Sequence, residues 1–218
     1  CYGAALNFGG IMFTLFTALN NSWCPFFFED MKQGNRENLR EKAGNFLELF
    51  TVLSVGFVLL ASEVYRYVYV SRDFWGSTML IPIFVSSYYT NFLCTFPVNF
   101  EYYHKKTKVV SIITIVSSLI NVGLNYLLIL RIGMAGAAVA TLISHSLQLT
   151  LHYLYVRFAL GGKEYPFPLK MWVGYAAVFA AVAVASVAAD GLWLARWGLG
   201  AAIGLWELLR IRKRKVLI

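Results

Sequence analysis

Charge is what this sequence has least of. Only 14% of its 218 residues are Asp, Glu, Lys or Arg, where a soluble domain carries about 25%. That shortage excludes an ordinary water-facing globule. Also missing are a Gly-rich phosphate loop, paired carboxylates within an apolar run, a nucleophile motif and any His/Cys spacing suited to a metal, so no catalytic, cofactor-binding or metal-binding residue is assigned. The three cysteines, Cys1, Cys24 and Cys94, are scattered, and their number and spacing imply neither a disulfide framework nor a zinc site. Low-complexity tracts and an obvious internal repeat are lacking too. The chain opens at Cys1 inside an apolar segment, without an initiator Met, a charged leader or a small-residue cleavage site. We therefore expect a chain truncated at its N-terminus rather than a signal peptide.

What is present is apolar bulk: 59% hydrophobic residues, 17% of the chain aromatic, and a mean hydropathy of +0.62. A helix of roughly 20 apolar residues crosses about 30 Å of hydrocarbon. Seven runs meet that length, at about Cys1–Asn20, Phe46–Tyr65, Phe74–Val98, Val109–Leu130, Ala135–Phe158, Met171–Ala189 and Leu192–Leu209. They lack the alternation of a membrane β-barrel, so the expected fold is all-α, a polytopic transmembrane helical bundle of about seven spans.

The net charge of +8 is distributed for topology and not for nucleic acid. Lys32, Arg36, Arg40 and Lys42 lie between the first two runs, and Lys105, Lys106 and Lys108 between the third and fourth. Arg157, Lys163 and Lys170 flank the fifth connection, and Arg210, Arg212, Lys213, Arg214 and Lys215 form the tail. The intervening connections offer only Arg66 with Arg72, then Arg131, then Arg196. Basic residues stay on the cytoplasmic side, so the first run enters from outside and the C-terminus is cytoplasmic. The segment 21–45 begins with Trp23 and Phe26–Phe28 and continues into charges of both signs, which predicts an interfacial helix.

Polar residues inside the runs form stripes. Asn7, Thr14, Thr17 and Asn21 recur along the first run. Ser111, Thr114, Ser118, Asn121 and Asn125 recur along the fourth, and Thr141, Ser144, His145, Gln148 and His152 along the fifth. Spacings of three and four put each set on one helix face. Two readings stay open at this point: glue between helices, at about 0.6–2 kcal/mol per contact, or the lining of a wet path. Glu63 and Arg66, three apart, suit a local ion pair. Glu48 is placed to snorkel to water.

The stretch Leu119–Ser144, LINVGLNYLLILRIGMAGAAVATLIS, resembles the polysaccharide-transporter branch of the multidrug/oligosaccharidyl-lipid/polysaccharide exporter superfamily. In that branch an Asn-rich helix ends in a basic Gly turn and enters a Gly-Ala-Ala-x-Ala-Thr helix. Tyr103–Lys108 is similar to the lysine-bearing turn before it, and Ala18–Glu29, ALNNSWCPFFFE, to the Pro-aromatic exit of an earlier span. The resemblance covers about 1–158, as spans eight to twelve of a C-terminal lobe, while 159–218 would add two spans and a basic tail. It implies a bacterial inner-membrane flippase, C-terminal half of a MATE-like fold, that moves undecaprenyl-diphosphate-linked oligosaccharides by alternating access. Its partners would be the lipid-linked oligosaccharide, membrane lipids, an N-terminal lobe of the same chain and glycan-assembly proteins such as a polymerase. The candidate substrate-path residues are Asn7, Asn20, Asn21, Asn121, Asn125, His145 and Gln148. A multidrug or peptidoglycan-lipid exporter of the same superfamily, or a membrane-integral sugar enzyme, are the alternatives.

Overall fold

The computed structural model describes residues 2–68, 71–160, 164–188 and 191–214; Cys1, Lys163, Ala189, Asp190 and Lys215 lie outside them. Seven α-helices follow one another: α1 (Tyr2–Gln33), α2 (Arg36–Val68), α3 (Ile81–Tyr103), α4 (Thr107–Ile132), α5 (Met134–Phe158), α6 (Leu169–Ala188) and α7 (Trp193–Arg214). A 3-10 segment, Arg72–Leu80, leads into α3. Among the described residues there is no strand. The first six helices are each long and apolar enough to cross a membrane, which marks a multi-pass membrane protein. The seventh is long enough but carries Arg196 and Glu207 among its apolar residues.

The segment 21–45 is not a separate interfacial helix. α1 runs on through it to Gln33, and α2 begins at Arg36. Gly34, at φ +70°, supplies the left-handed residue that lets the chain reverse within so short a turn. Buried anchors hold the extension in helical form: Trp23 and Phe27 are buried from α1 and Leu39 and Ala43 from α2. Asp30 is also buried there, accepting from Asn38 Nδ2 at 3.1 Å and pairing with Lys42 Nζ at 2.9 Å.

α3 is the central helix. It packs on α5 and α1, and also meets α2, α4 and α6. α2 carries α6 and α7 on another side, so these two helices are part of the same bundle. α4 lies outermost, against α5 and little else, and most of its surface is exposed. The aromatic share of the composition goes largely inward. Phe50 and Phe92 approach to 4.2 Å between ring centroids, Tyr89 stacks on Phe179 at 4.3 Å, and Trp23 stacks on Phe46 at 5.3 Å. Lipid supplies no hydrophobic drive between helices, so such ring contacts, each about 0.5–1.5 kcal/mol, and close van der Waals packing do that work.

Three connections rich in basic residues meet at one end of the bundle. Arg40 Nε, on α2, donates to the Pro166 carbonyl at 2.6 Å. Tyr103, at the end of α3, donates to the Met31 carbonyl of α1 at 3.3 Å, and His104 and Glu164 stand 3.9 Å apart. The turn at Gly133 and the Arg72–Leu80 segment lie at the opposite end, where Arg196 near the start of α7 reaches α2. Its Nη2 donates to the Leu59 carbonyl at 2.9 Å, and its Nη1 lies 3.2 Å from Glu63. Glu63 is thus an interhelical partner of Arg196. Glu48, expected to reach water, is buried in α2 instead.

Candidate functional site

The polar stripes of α4 and α5 face each other. The chain turns between these helices on Gly133 alone, at φ +61°, and Gly136 seats the first turn of α5 against the Leu128 carbonyl, where a Cβ would have no room. From that pivot the helices run side by side. Asn121 donates to Ser144 Oγ at 3.1 Å, and Gln148 donates to Thr114 Oγ1 at 3.3 Å. Asn125 donates to the Asn121 Oδ1 and carbonyl, both at 2.9 Å. Thr141 and Ser144 return their hydroxyl protons to carbonyls one turn back.

Between the two helices is a half-open cleft of about 270 Å³, lined by Ser117, Ser118, Asn121, Thr141, His145 and Gln148, with Val122 and Ser144. It sits midway along both helices, the depth at which hydrocarbon is least tolerant of polar groups. The lining consists of hydroxyls, amides and one imidazole and contains no formal charge. His145 Nδ1 donates to the Ser87 carbonyl of α3 at 3.0 Å. A carbonyl can only accept, so this bond fixes the proton on Nδ1 and leaves Nε2 as the ring's acceptor.

Of the sequence candidates, Asn121, Asn125, His145 and Gln148 are brought together here. Asn7, Asn20 and Asn21 are not. They lie on α1, which the bundle separates from α4 and α5 by α3. Asn7 and Asn21 are exposed, and Asn20 is half-buried with an Oδ1 that finds no partner among the described residues. The physical reason is that α1 turns its apolar positions, Phe8, Met12 and Phe16, to the core, so its polar stripe looks outward.

The α5 stripe also divides. Thr141, Ser144 and Gln148 serve the α4 side, while His152 turns to α3 and finds Glu101. His152 Nδ1 lies 2.9 and 3.0 Å from the two Glu101 oxygens, and both side chains are fully buried. Sequence reasoning missed Glu101. It stands in the last turn of α3, next to the Lys105–Lys108 cluster, where a carboxylate reads as a surface residue. Among the described residues no group of three His, Cys, Asp or Glu side chains is placed to hold a metal ion.

Compared with protein-family models, with curated proteins and with solved structures, the chain matches none.

Proposed function

We propose that this chain is part of a membrane transporter and that its cargo is a lipid-linked oligosaccharide. The observation that carries this reading is the uncharged polar cleft at mid-depth between α4 and α5. Asn121 and Gln148 each make one bond between the two helices, and an open space remains beside them. Here Ser118, Thr141, His145 and Gln148 line an accessible space, and a sugar offers the matching set of hydroxyl donors and acceptors. A polyprenyl tail would stay in lipid beside the exposed apolar flank of α4, which shows Ile112, Ile115, Leu119 and Val122. A diphosphate would find the basic clusters at the bundle end attractive. The resemblance of Leu119–Ser144 to the polysaccharide-transporter branch points the same way.

Complementation tests the reading. The intact chain, in a strain lacking its lipid-linked-oligosaccharide flippase, restores surface polysaccharide. Asn121→Ala with Gln148→Ala lowers that recovery roughly ten-fold at equal membrane expression, as expected for losing about 1–2 kcal/mol of cargo hydrogen bonding. No recovery in any of several glycan systems, despite good expression, would move the assignment to another exporter. Cysteines at 121 and 148 that resist a water-borne thiol reagent in every state would mean that the cleft is helix glue.

A further inference from the structure

Three aromatic rings at the end of the bundle away from the basic clusters serve neither the core nor the α4–α5 cleft. Tyr67 stands in the last turn of α2, and Trp193 and Trp197 in the first turns of α7. Tyr67 is 86% exposed, Trp193 54% and Trp197 43%. With Glu63 and Val64 they surround an open-mouthed pocket of about 340 Å³, within the range of about 300–1,000 Å³ that small ligands occupy. Single Trp and Tyr rings commonly anchor a helix at the headgroup level of a membrane. These three differ in being gathered from two helices around one space. The core rings Trp23, Phe96 and Trp172 each meet several others. Tyr67, Trp193 and Trp197 touch no other ring among the described residues, so their π-faces are unspent.

The floor of this pocket is a carboxylate. Trp197 Nε1 donates to Glu63 Oε2 at 3.4 Å, and Arg196 Nη1 lies 3.2 Å from Oε1. The two charges are not equally placed. The Glu63 side chain is 20% exposed and lines the pocket, while the Arg196 side chain is 3% exposed, does not line it, and gives Nη2 to the Leu59 carbonyl. Arg66, three residues after Glu63, stands over the Trp75 ring at 6.0 Å and does not line the pocket either. An entering group therefore meets ring faces, which are the negative part of an aromatic quadrupole, and one carboxylate. That surface attracts a cation and repels an anion. Glu63 and Arg196 are neutral as a pair, so a ligand that is neutral overall leaves no charge uncompensated.

We propose that Glu63, Tyr67, Trp193 and Trp197 form a binding site for the ammonium headgroup of a zwitterionic membrane lipid. The ammonium lies among the ring faces beside Glu63, and the phosphate stays at the mouth. Lipid is the occupant because the pocket sits at the end of a helix long enough to span and opens onto apolar surface. Val64 and Val68 of α2 and Leu194 and Leu199 of α7 are all exposed there and suit acyl chains. The rings come from both helices, so occupancy holds α7 against α2. This site stands whatever the cargo is.

The test uses the intact chain in maltoside detergent, labelled with 5-fluorotryptophan, with the fluorine resonances of Trp193 and Trp197 assigned by Trp→Phe replacement. Short-chain phosphatidylcholine and phosphatidylglycerol are titrated in, and only binding at this pocket moves those two resonances. Phosphatidylcholine binds there about ten-fold more tightly, the sum expected of two or three ring faces on one cation. Tetramethylammonium chloride displaces it, and sodium chloride at the same concentration does not. Tyr67→Leu with Trp193→Leu keeps apolar bulk but removes two π-faces, so the preference read at Trp197 falls to about two-fold or less. Tyr67→Phe with Trp193→Phe retains most of it. Equal affinity for the two lipids in the parent chain overturns the proposal, as does a leucine pair that keeps the preference or a phenylalanine pair that loses it. Tetramethylammonium that binds while the two lipids bind alike overturns lipid as the occupant.

Discussion

Single side chains set the tolerances of this bundle. Gly136 is the tightest of them, since a methyl group there would press on the Leu128 carbonyl of the facing helix. Gly136→Ala gains helix propensity but forces α4 and α5 apart. We expect a net loss of about 1–3 kcal/mol, seen as a lower unfolding temperature in detergent. Asn121→Ala removes one interhelical bond and frees Asn125, at a cost of about 1 kcal/mol to the α4–α5 hairpin. These positions were legible in the sequence because a three-and-four spacing of amides in an apolar run has few explanations. Glu101 was not legible. Its meaning depends on His152, fifty-one positions away, and one carboxylate near a basic turn carries no sign of its partner.

At the scale of helices, length and hydropathy gave the seven helices, six of them long and apolar enough to cross a membrane, while the ends came out differently. α1 and α2 each extend past their apolar runs because buried Trp23, Phe27 and Leu39 find tertiary neighbours that periodicity does not display. The stripe on α1 shows the limit of pattern reading: a polar face fixes which side of a helix is polar, and packing alone decides whether that side looks inward. Residue 196 shows the same limit for α7. Arg196 is 3% exposed and bonded to Leu59 and Glu63, and Trp197 Nε1 donates to Glu63 at 3.4 Å, so both tie α7 to α2. Arg196→Ala removes the bond to the Leu59 carbonyl and the ion pair with Glu63, and leaves the Glu63 carboxylate to the Trp197 Nε1 donor. The expected cost is about 1–3 kcal/mol, with faster hydrogen exchange confined to α7 and the Glu63 end of α2.

Across the whole molecule, the charge distribution predicted which connections share a side, and the contacts among Arg40, Pro166, Tyr103, Met31, His104 and Glu164 join those connections at one end. Impermeant-reagent labelling of cysteines placed at Gly34 and Lys106 is therefore expected to report the same membrane face for both, and a cysteine at Arg131 the opposite face. Labelling of all three from one side would contradict the span count. Cargo and direction were not readable from the residues alone, because the polar cleft offers hydroxyls and amides that many solutes would satisfy. The hairpin at Gly133 has a mechanical meaning as well. Two helices of 26 and 25 residues share a pivot of one residue. α4 touches little besides α5, and α5 is bolted to α3 at two heights, through His145 and His152. A push on the outer helix is therefore delivered to α3 at mid-depth and again about two turns further along α5, so α4 and α5 are built as a lever with α3 as its fulcrum.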